Sequence, residues 1–270
     1  MTNAANAPHA GHFKGGLPFN RLGNGPEPLV VFRGLLPEHK PLSGVTARAM
    51  LSPFRPLARR YTVYVVTRRP GLPAGCTLAD MADDYADMVR DEFGGPVRVI
   101  GISTGGSIAQ HFAADHPELV RRLVLYSAAH RLGDEGRRFQ RRLAELAGAR
   151  RWAALAAESL AFMYLPKRGL ARRAAVPATW LVRLLAVALF RPPSDASDYL
   201  VTIEAEDAFD FRDRLGEIRA PALFRETAAG MPRARLVLYE RAGHGPTGKR
   251  VTRDLLAFLA ENGAAPGAGA

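Results

Sequence analysis

Continuous apolar runs, rather than alternating ones, mark the first half of the chain. They occupy residues 28–34 (PLVVFRG), 61–69 (YTVYVVTRR), 97–103 (VRVIGIS) and 121–129 (RRLVLYSAA). Runs of this length are typical of strands that are buried on both faces of a sheet. Segments whose apolar residues recur at helical spacing lie between these runs. The pattern therefore predicts an α/β fold whose mostly parallel sheet is covered by helices on both faces.

Two helices are predicted from clear end signals. Residues 77–80 (TLAD) have the pattern of a capping box, in which the threonine and the acidic side chain each bond the other's backbone N–H. A second helix follows Gly105 and ends at His116-Pro117, because proline cannot continue a helix. Apolar residues recur on one face of the first helix, at Leu78, Met81, Tyr85, Met88 and Val89.

Long helical stretches without an intervening strand replace this pattern from residue 134 to about residue 211. We therefore expect a helical cap over residues 134–211, inserted into an α/β core formed by residues 28–133 and 212–262. The sheet resumes at residues 234–245 (ARLVLYERAGHG), and a final helix follows. Residues 1–27 are rich in Gly, Pro and Asn, which predicts a flexible N-terminal arm, and residues 263–270 predict a flexible tail.

Composition excludes several classes of protein. With 270 residues, 47% of them hydrophobic, the chain is long enough to bury a large core. Its one cysteine, Cys76, excludes a disulfide framework and a cysteine-ligated structural zinc. The N-terminal residues have no apolar core of the kind that a signal peptide needs, so a cytoplasmic location is expected.

Charge is distributed unevenly along the chain. The net charge is +11, and residues 131–191 alone carry 13 basic and four acidic side chains. A solvated, arginine-rich face is the favoured interpretation, and peripheral contact with an anionic membrane is the alternative. No recognition motif accompanies the charge, so no nucleic-acid partner is expected.

Residues 101–105 (GISTG) join a predicted strand to a predicted helix. A Gly-x-Ser-x-Gly segment in that position places its serine on a sharp turn at the carboxyl edge of the sheet, where ligands bind in open α/β folds. The N–H groups at the start of the helix can bind an oxyanion that develops there. Ser103 is therefore the candidate nucleophile.

A serine hydroxyl is a weak nucleophile unless a base takes its proton. His244 follows the last predicted strand, between two glycines, and it comes after Ser103 in the chain, as this motif requires. It is the candidate general base. An oxyanion hole needs N–H donors, and the candidates are Thr104, directly after the serine, and Leu35, in the loop after the first core strand.

These motifs resemble the α/β-hydrolase superfamily, in its capped form. The resemblance covers about residues 28–262 and rests on residues 32–34 (FRG), residues 101–106 (GISTGG), HPELVRRLVLYS and AGHG. It implies a Ser-His-acid triad, no cofactor and no metal. It also implies hydrolysis of a carboxylic ester or related acyl bond in a small molecule, with the cap over Ser103.

The acid of such a triad normally follows the strand before the histidine strand, and here it is missing from that place. Only 14 residues, without an Asp, separate Pro221 from Leu236, whereas a strand, a loop, a helix and a turn need about 25. One core strand is therefore expected to be truncated. Glu226, Asp134 or neither could supply the acid, whereas Asp207, Asp210 and Asp213 resemble helix surface.

Two further interpretations concern side chains near the predicted site. Arg33, beside the oxyanion loop, is expected to point to solvent, with selection of anionic substrates as the alternative. The predicted cap contains several large apolar side chains, and they predict an apolar acyl or alcohol group in the substrate. The alternative is that they serve ordinary helix packing. These residues are Trp152, Phe162, Met163, Tyr164, Trp180 and Leu184.

Two functions compete on this basis. The first is a serine hydrolase that uses Ser103 and His244. The second is a catalytically impaired α/β-hydrolase-like protein that binds a small molecule, and the missing acid favours it, because losing that group can lower the rate by about 10⁴.

Overall fold

The protein is described by a computed structural model over residues 8–164, 193–224, 230–237 and 248–261. Within these residues eight strands form one sheet: His9–His12 (β1), Pro18–Leu22 (β2), Glu27–Phe32 (β3), Tyr61–Val66 (β4), Val97–Ile102 (β5), Val120–Tyr126 (β6), Ala222–Phe224 (β7) and Ala234–Leu236 (β8). Their order in the sheet is β1-β2-β4-β3-β5-β6-β7-β8. The pairs β1–β2 and β2–β4 are antiparallel, and all the other neighbouring pairs are parallel.

Helices cover both faces of this sheet, which confirms the predicted fold class. The helix bounds are Gly44–Leu51 (α1), Leu78–Phe93 (α2), Thr104–Asp115 (α3), Asp134–Gly148 (α4), Trp152–Tyr164 (α5), Ser197–Asp207 (α6) and Lys249–Ala260 (α7). In strand β3, Val30 and Phe32 join the core beneath α2 and α3, whereas Leu29 and Val31 join the core beneath α1 and α7. Side chains alternate between the faces of a strand, so a strand that is buried on both faces is apolar throughout.

The capping box predicted at residues 77–80 is present at the start of α2. Thr77 Oγ1 accepts from the Asp80 N–H at 3.1 Å, and Asp80 Oδ2 accepts from the Thr77 N–H at 2.8 Å. These bonds satisfy N–H groups that have no acceptor within the helix. The five apolar residues predicted for one face of this helix are all buried.

The expectation of a flexible arm is wrong for residues 9–12 and 18–22, which form β1 and β2. Strand β2 pairs with β4, with Phe19 opposite Val66, and so extends the sheet. The cause is aromatic packing: the rings of Phe13 and Phe19 stack with their centroids 4.3 Å apart, and both contact Tyr64. Burial of these rings offsets the entropy of ordering a glycine-rich segment.

Register places the ends of three strands side by side at the carboxyl edge of the sheet. Phe32, the last residue of β3, lies opposite Gly101 in β5, and Ile102 lies opposite Tyr126 in β6. The loops that carry Gly34 and Ser103 therefore start next to each other.

Strand β7 occupies the position where the sequence predicts a truncated strand. It pairs with β6 on one side and with β8 on the other, so β8 is joined to the sheet. Residues 225–229 and 238–247 lie outside the described part of the chain. The truncation of this strand therefore stays a prediction.

Helices α4, α5 and α6 lie between β6 and β7 in the chain. They share a cluster of buried residues that includes Leu143, Trp152 and Tyr199, and Leu35 packs against it. Trp152 is thus part of helix packing, and Phe162 stacks on Phe139 with the ring centroids 4.2 Å apart. Trp180 and Leu184 lie outside the described residues, as do the side chains of Met163 and Tyr164.

No helix in the described ranges combines the length and apolarity that crossing a membrane would require.

Candidate active site

Ser103 stands at the turn between β5 and α3 in a conformation that is rare for a residue with a side chain. Its φ is 51° and its ψ is −124°. The turn is held by backbone hydrogen bonds: the Ser103 N–H donates to Tyr126 O at 3.0 Å, and Ser103 O accepts from the Gly106 N–H at 2.6 Å. Such strain persists only where the surrounding structure enforces it, and it is concentrated at functional sites.

Glycines on both sides of Ser103 allow three segments to meet without space for a side chain. A Cβ on Gly105 would lie 2.2 Å from Phe32 O, and a Cβ on Gly106 would lie 2.3 Å from Ala128 Cβ. A Cβ on Gly101 would lie 2.6 Å from Gly106 Cα. Each of these positions therefore requires glycine, because α3 lies directly against the ends of β3 and β6.

The loop after β3 comes directly against this turn. A Cβ on Gly34 would lie 3.2 Å from Ile102 O and 3.4 Å from Ser103 Cβ. Leu35 follows in the chain, and Thr104 is the first residue of α3, where backbone N–H groups have no acceptor within the helix. The structure thus brings together the segments that carry Ser103, Thr104 and Leu35.

A buried carboxyl group that the sequence did not single out lies beside the nucleophile turn. Glu206 on α6 is 2% exposed. Its Oε2 accepts from Thr104 Oγ1 at 2.6 Å and from Gln140 Nε2 at 2.6 Å, and its Oε1 accepts from Ser107 Oγ at 3.0 Å. Burial raises the pKa of Glu206, and these three hydrogen bonds oppose that shift.

The sequence points to a buried acidic partner such as Glu206 only indirectly. Thr104 and Ser107 are three residues apart, so their hydroxyls share one face of a buried helix and need a partner there. Their partner lies about a hundred positions later in the chain.

A second buried charge lies under the loop after β3. Arg68, which follows β4, donates from Nη1 to Arg33 O at 3.1 Å and from Nη2 to Gly34 O at 3.3 Å. Its Nε donates to His39 Nε2 at 3.1 Å. Burial lowers the pKa of this guanidinium, while the charges of Glu206 and Asp198 raise it.

His39 is neutral in this arrangement. Its Nδ1 is 3.0 Å from Arg69 O, a carbonyl that can only accept, so Nδ1 carries the proton and Nε2 is free to accept from Arg68. Burial and the adjacent Arg68 lower the pKa of His39 to about 3. Asp198 on α6 lies 3.6 Å from the same Nδ1 and also accepts from the Leu72 N–H at 2.7 Å.

The expectation that Arg33 points to solvent is wrong. Its exposed fraction is 7%, and Nη2 lies 3.8 Å from Met50 Sδ on α1. Burial lowers the pKa of Arg33 to about 9. Nη1 has no hydrogen-bond partner among the described residues. Arg33 directly follows a strand that is buried on both faces, so its side chain is enclosed.

Of the residues predicted as the base and the acid of the triad, Asp134 alone falls within the described part of the chain. His244 and Glu226 lie outside the described residues. Asp134 is exposed at the first position of α4. Within the described ranges, no three His, Cys, Asp or Glu side chains are grouped as a metal site would require.

Part of the basic segment 131–191 is engaged within the protein. Arg137 donates to Asp207 O at 3.0 Å, Arg142 pairs with Glu145 and Glu158, and Arg150 donates to Ser194 O at 3.0 Å. These contacts agree with a solvated face, and contact with an anionic membrane stays a prediction.

Known proteins match the chain in sequence and in fold. Residues 42–252 match the sequence model of the Alpha/beta hydrolase family. A pimeloyl-[acyl-carrier protein] methyl ester esterase from Chromobacterium violaceum is 42% identical over 76 residues, which are 28% of this chain and 30% of that protein. The matched segment thus spans less than a third of that relative.

Two solved structures share the fold at low sequence identity. The enol-lactonase from Burkholderia xenovorans LB400 has a TM-score of 0.68 at 20% identity, and it covers 94% of this chain and 100% of its own. An esterase from Exiguobacterium antarcticum has a TM-score of 0.67 at 18% identity, with the same coverage. The family match, which spans most of the chain, and the order of the strands lead to one conclusion: the chain belongs to the α/β-hydrolase family.

Proposed function

We propose that the protein hydrolyses a carboxylic ester or a related acyl bond, with Ser103 as nucleophile and His244 as general base. The observation that carries this proposal is the turn at Ser103, where a non-glycine residue has a φ of 51° between segments that touch at glycines. A conformation of this kind costs about 1 to 3 kcal/mol. Exposure of the serine hydroxyl at the sheet edge is the function that such a turn serves in this fold.

The reaction proceeds in two halves, each with a balanced proton transfer. Ser103 Oγ bonds to the acyl carbon while its proton passes to His244, and the carbonyl electron pair becomes an oxyanion. The intermediate then collapses, the bond to the leaving alkoxide breaks, and the alkoxide takes the proton from His244. Water repeats the sequence on the acyl-serine and releases the acid and Ser103.

The backbone N–H groups of Thr104 and Leu35 bind the oxyanion in this proposal. Thr104 begins α3, so its N–H adds to the partial positive charge at the helix N-terminus. The loop of Gly34 and Leu35 lies against Ser103 on the other side. Preorganised donors of this kind usually supply the largest electrostatic part of the rate enhancement.

A small ester with an apolar acyl or alcohol group is the proposed substrate class. Residues 134–211 form the cap in this proposal, and the packing of Leu35 against the cluster of α4, α5 and α6 supports a site bounded by these helices. The matched relative is a methyl ester esterase. No cofactor is needed for this chemistry.

Hydrolysis of a short-chain nitrophenyl ester by the wild type and by Ser103→Ala tests the proposal. The matched control is Ser52→Ala, which changes an exposed serine on the surface. A rate that disappears in Ser103→Ala and persists in Ser52→Ala is expected. Equal background rates in all three proteins, together with no covalent labelling of Ser103 by a fluorophosphonate, would refute catalysis and favour the small-molecule binding function.

The same assay identifies the acid. Asp134→Asn and Glu226→Gln remove the negative charge at each candidate while keeping its size. The variant that lacks the triad acid should lose up to about 10⁴ in kcat. If both variants keep full activity, neither residue has that role.

A further inference from the structure

Each of the two segments proposed to bind the oxyanion is held by one buried charged side chain. Glu206 bonds the hydroxyl of Thr104, and Arg68 bonds the carbonyls of Arg33 and Gly34. Neither charged group is among the residues proposed for the triad. The bonds of Arg68 are the more informative because they reach the backbone that carries a proposed donor.

Gly34 O and the Leu35 N–H belong to the same peptide unit. The peptide bond is planar and trans, so the N–H direction is fixed once the carbonyl direction is fixed. Arg68 Nη2 donates to that carbonyl at 3.3 Å, and Nη1 donates to the preceding carbonyl at 3.1 Å. The guanidinium fork thus sets the orientation of two successive peptides just before Leu35.

The positive charge of Arg68 adds to this geometric effect. A cation bonded to a carbonyl oxygen polarises the peptide and makes the N–H on its other side a stronger donor. Burial of a guanidinium carries a desolvation cost, which its three hydrogen bonds and the charges of Glu206 and Asp198 oppose. A neutral side chain of similar size would avoid that cost but would leave the two loop carbonyls without these donors.

We infer that Arg68 is a positioning residue of the oxyanion hole, acting through the Gly34–Leu35 peptide. The inference rests on the proposed function. Neutral His39 keeps the arginine in place: it accepts from Nε and donates to Arg69 O, so both Nη atoms remain directed at the loop.

Arg68→Met removes the fork and the charge while keeping an unbranched side chain. Its matched control is Arg98→Met: Arg98 is also buried, at 4% exposure, donates from Nε to Leu259 O at 2.7 Å and pairs with Glu27. Arg98 is the second residue of β5, at the end of the sheet opposite to Ser103. Both changes remove buried guanidinium bonds, but only one of them touches the oxyanion loop.

The readouts are kcat, KM and the inhibition constant of a trifluoromethyl ketone, which forms a tetrahedral oxyanion on the serine. For Arg68→Met we expect kcat to fall by about 10- to 100-fold, less than the 10² to 10³ that follows loss of a donor, because the donor is misoriented rather than removed. KM should change by less than about threefold, because the effect is confined to the transition state. The ketone should lose affinity by the same factor as kcat, and Arg98→Met should keep both values.

Several results would overturn the inference. Arg68→Met could keep kcat within about twofold of Arg98→Met, or it could lose kcat without losing affinity for the ketone. If Arg68→Met does not fold, Arg68→Lys is measured with the same comparison of kcat, KM and ketone affinity. Lysine keeps the charge but lacks the rigid planar fork that fixes both carbonyls. If the wild type itself shows no hydrolysis that depends on Ser103, the proposed function fails, and the inference fails with it.

Discussion

Replacement of Gly105 by alanine tests whether the nucleophile turn depends on backbone contact. The added Cβ would lie 2.2 Å from Phe32 O and 2.5 Å from Arg33 O, whereas real Cβ contacts essentially never fall below 3.0 Å. Both obstacles are backbone atoms at the end of β3, so they cannot rotate away. Helix α3 and this strand end must separate by about 0.8 Å.

Two opposing effects set the magnitude for Gly105→Ala. Alanine in a helix gains up to about 1 kcal/mol over glycine. Forcing an extra carbon into a packed interior typically costs about 1 to 3 kcal/mol, and a rigid backbone obstacle belongs at the upper end. We therefore expect a net loss of about 2 kcal/mol in the free energy of unfolding. Because the shift separates Ser103 from the loop of Gly34, we also expect a loss of about 10² in kcat.

Urea unfolding and ester hydrolysis measure the two effects, and Gly148→Ala is the control. Gly148 ends α4, its φ is not positive, and an added Cβ there meets nothing within 4 Å. This change should be neutral or stabilise the protein by up to about 1 kcal/mol. If the free energy of unfolding of Gly105→Ala is within about 0.5 kcal/mol of the wild-type value and the rate of ester hydrolysis is unchanged, the close approach of α3 to β3 does not require glycine at position 105.

Three further predictions use ordinary unfolding experiments. Burial raises the pKa of Glu206 above 4.5, so the folded state keeps a proton that the unfolded state releases, and the wild type loses stability as the pH rises above 4.5. Glu206→Gln lacks this titration and should gain stability relative to the wild type over the same rise in pH; a difference that does not depend on pH would contradict this. The pKa of His39 is lowered from 6.5 to about 3, so below pH 6.5 the unfolded state binds a proton that the folded state does not, and the free energy of unfolding falls as the pH drops. His39→Gln should remove a dependence of up to about 1.4 kcal/mol per pH unit, and an unchanged dependence on pH would refute the assignment of a neutral ring. Thr77→Ala should lower the free energy of unfolding by about 1 kcal/mol through loss of the capping box of α2. Ser43→Ala, at the N-cap of α1, should leave it almost unchanged because Ser43 makes no side-chain capping bond; equal losses in the two variants would show that the capping box does not stabilise α2.

The parts of the fold that the sequence predicts are those specified by short-range patterns. Strands β3 to β6 are continuous apolar runs, because parallel strands are buried on both faces, and the start of α2 has its own hydrogen-bond signature. The hairpin of β1 and β2 has no such local pattern, because its residues are typical of a loop in composition. Its order comes from the contact of Phe13 and Phe19 with Tyr64, about fifty residues later.

The candidate site likewise combines residues that a short-range pattern reveals with residues that depend on distant contacts. Ser103 is recognisable because its turn is encoded within five residues. Arg68 and Glu206 are not, because each has a role only through partners that the fold brings near: Arg68 meets carbonyls 34 and 35 positions earlier, and Glu206 meets hydroxyls 99 and 102 positions earlier. A buried charge is unexpected in any local pattern, since burial alone disfavours it.

Helix α6 joins these two buried groups into one arrangement. Glu206 near its end bonds Thr104, and Asp198 near its beginning contacts His39, the residue that accepts from Arg68. Eight residues of helix span about 12 Å, so one rigid element reaches both segments of the proposed oxyanion hole. A displacement of α6 would change the surroundings of Thr104 and of the Gly34 loop at the same time. The helices between β6 and β7 are thereby connected to the chemistry at Ser103 through hydrogen bonds, in addition to the apolar contacts that they make with Leu35.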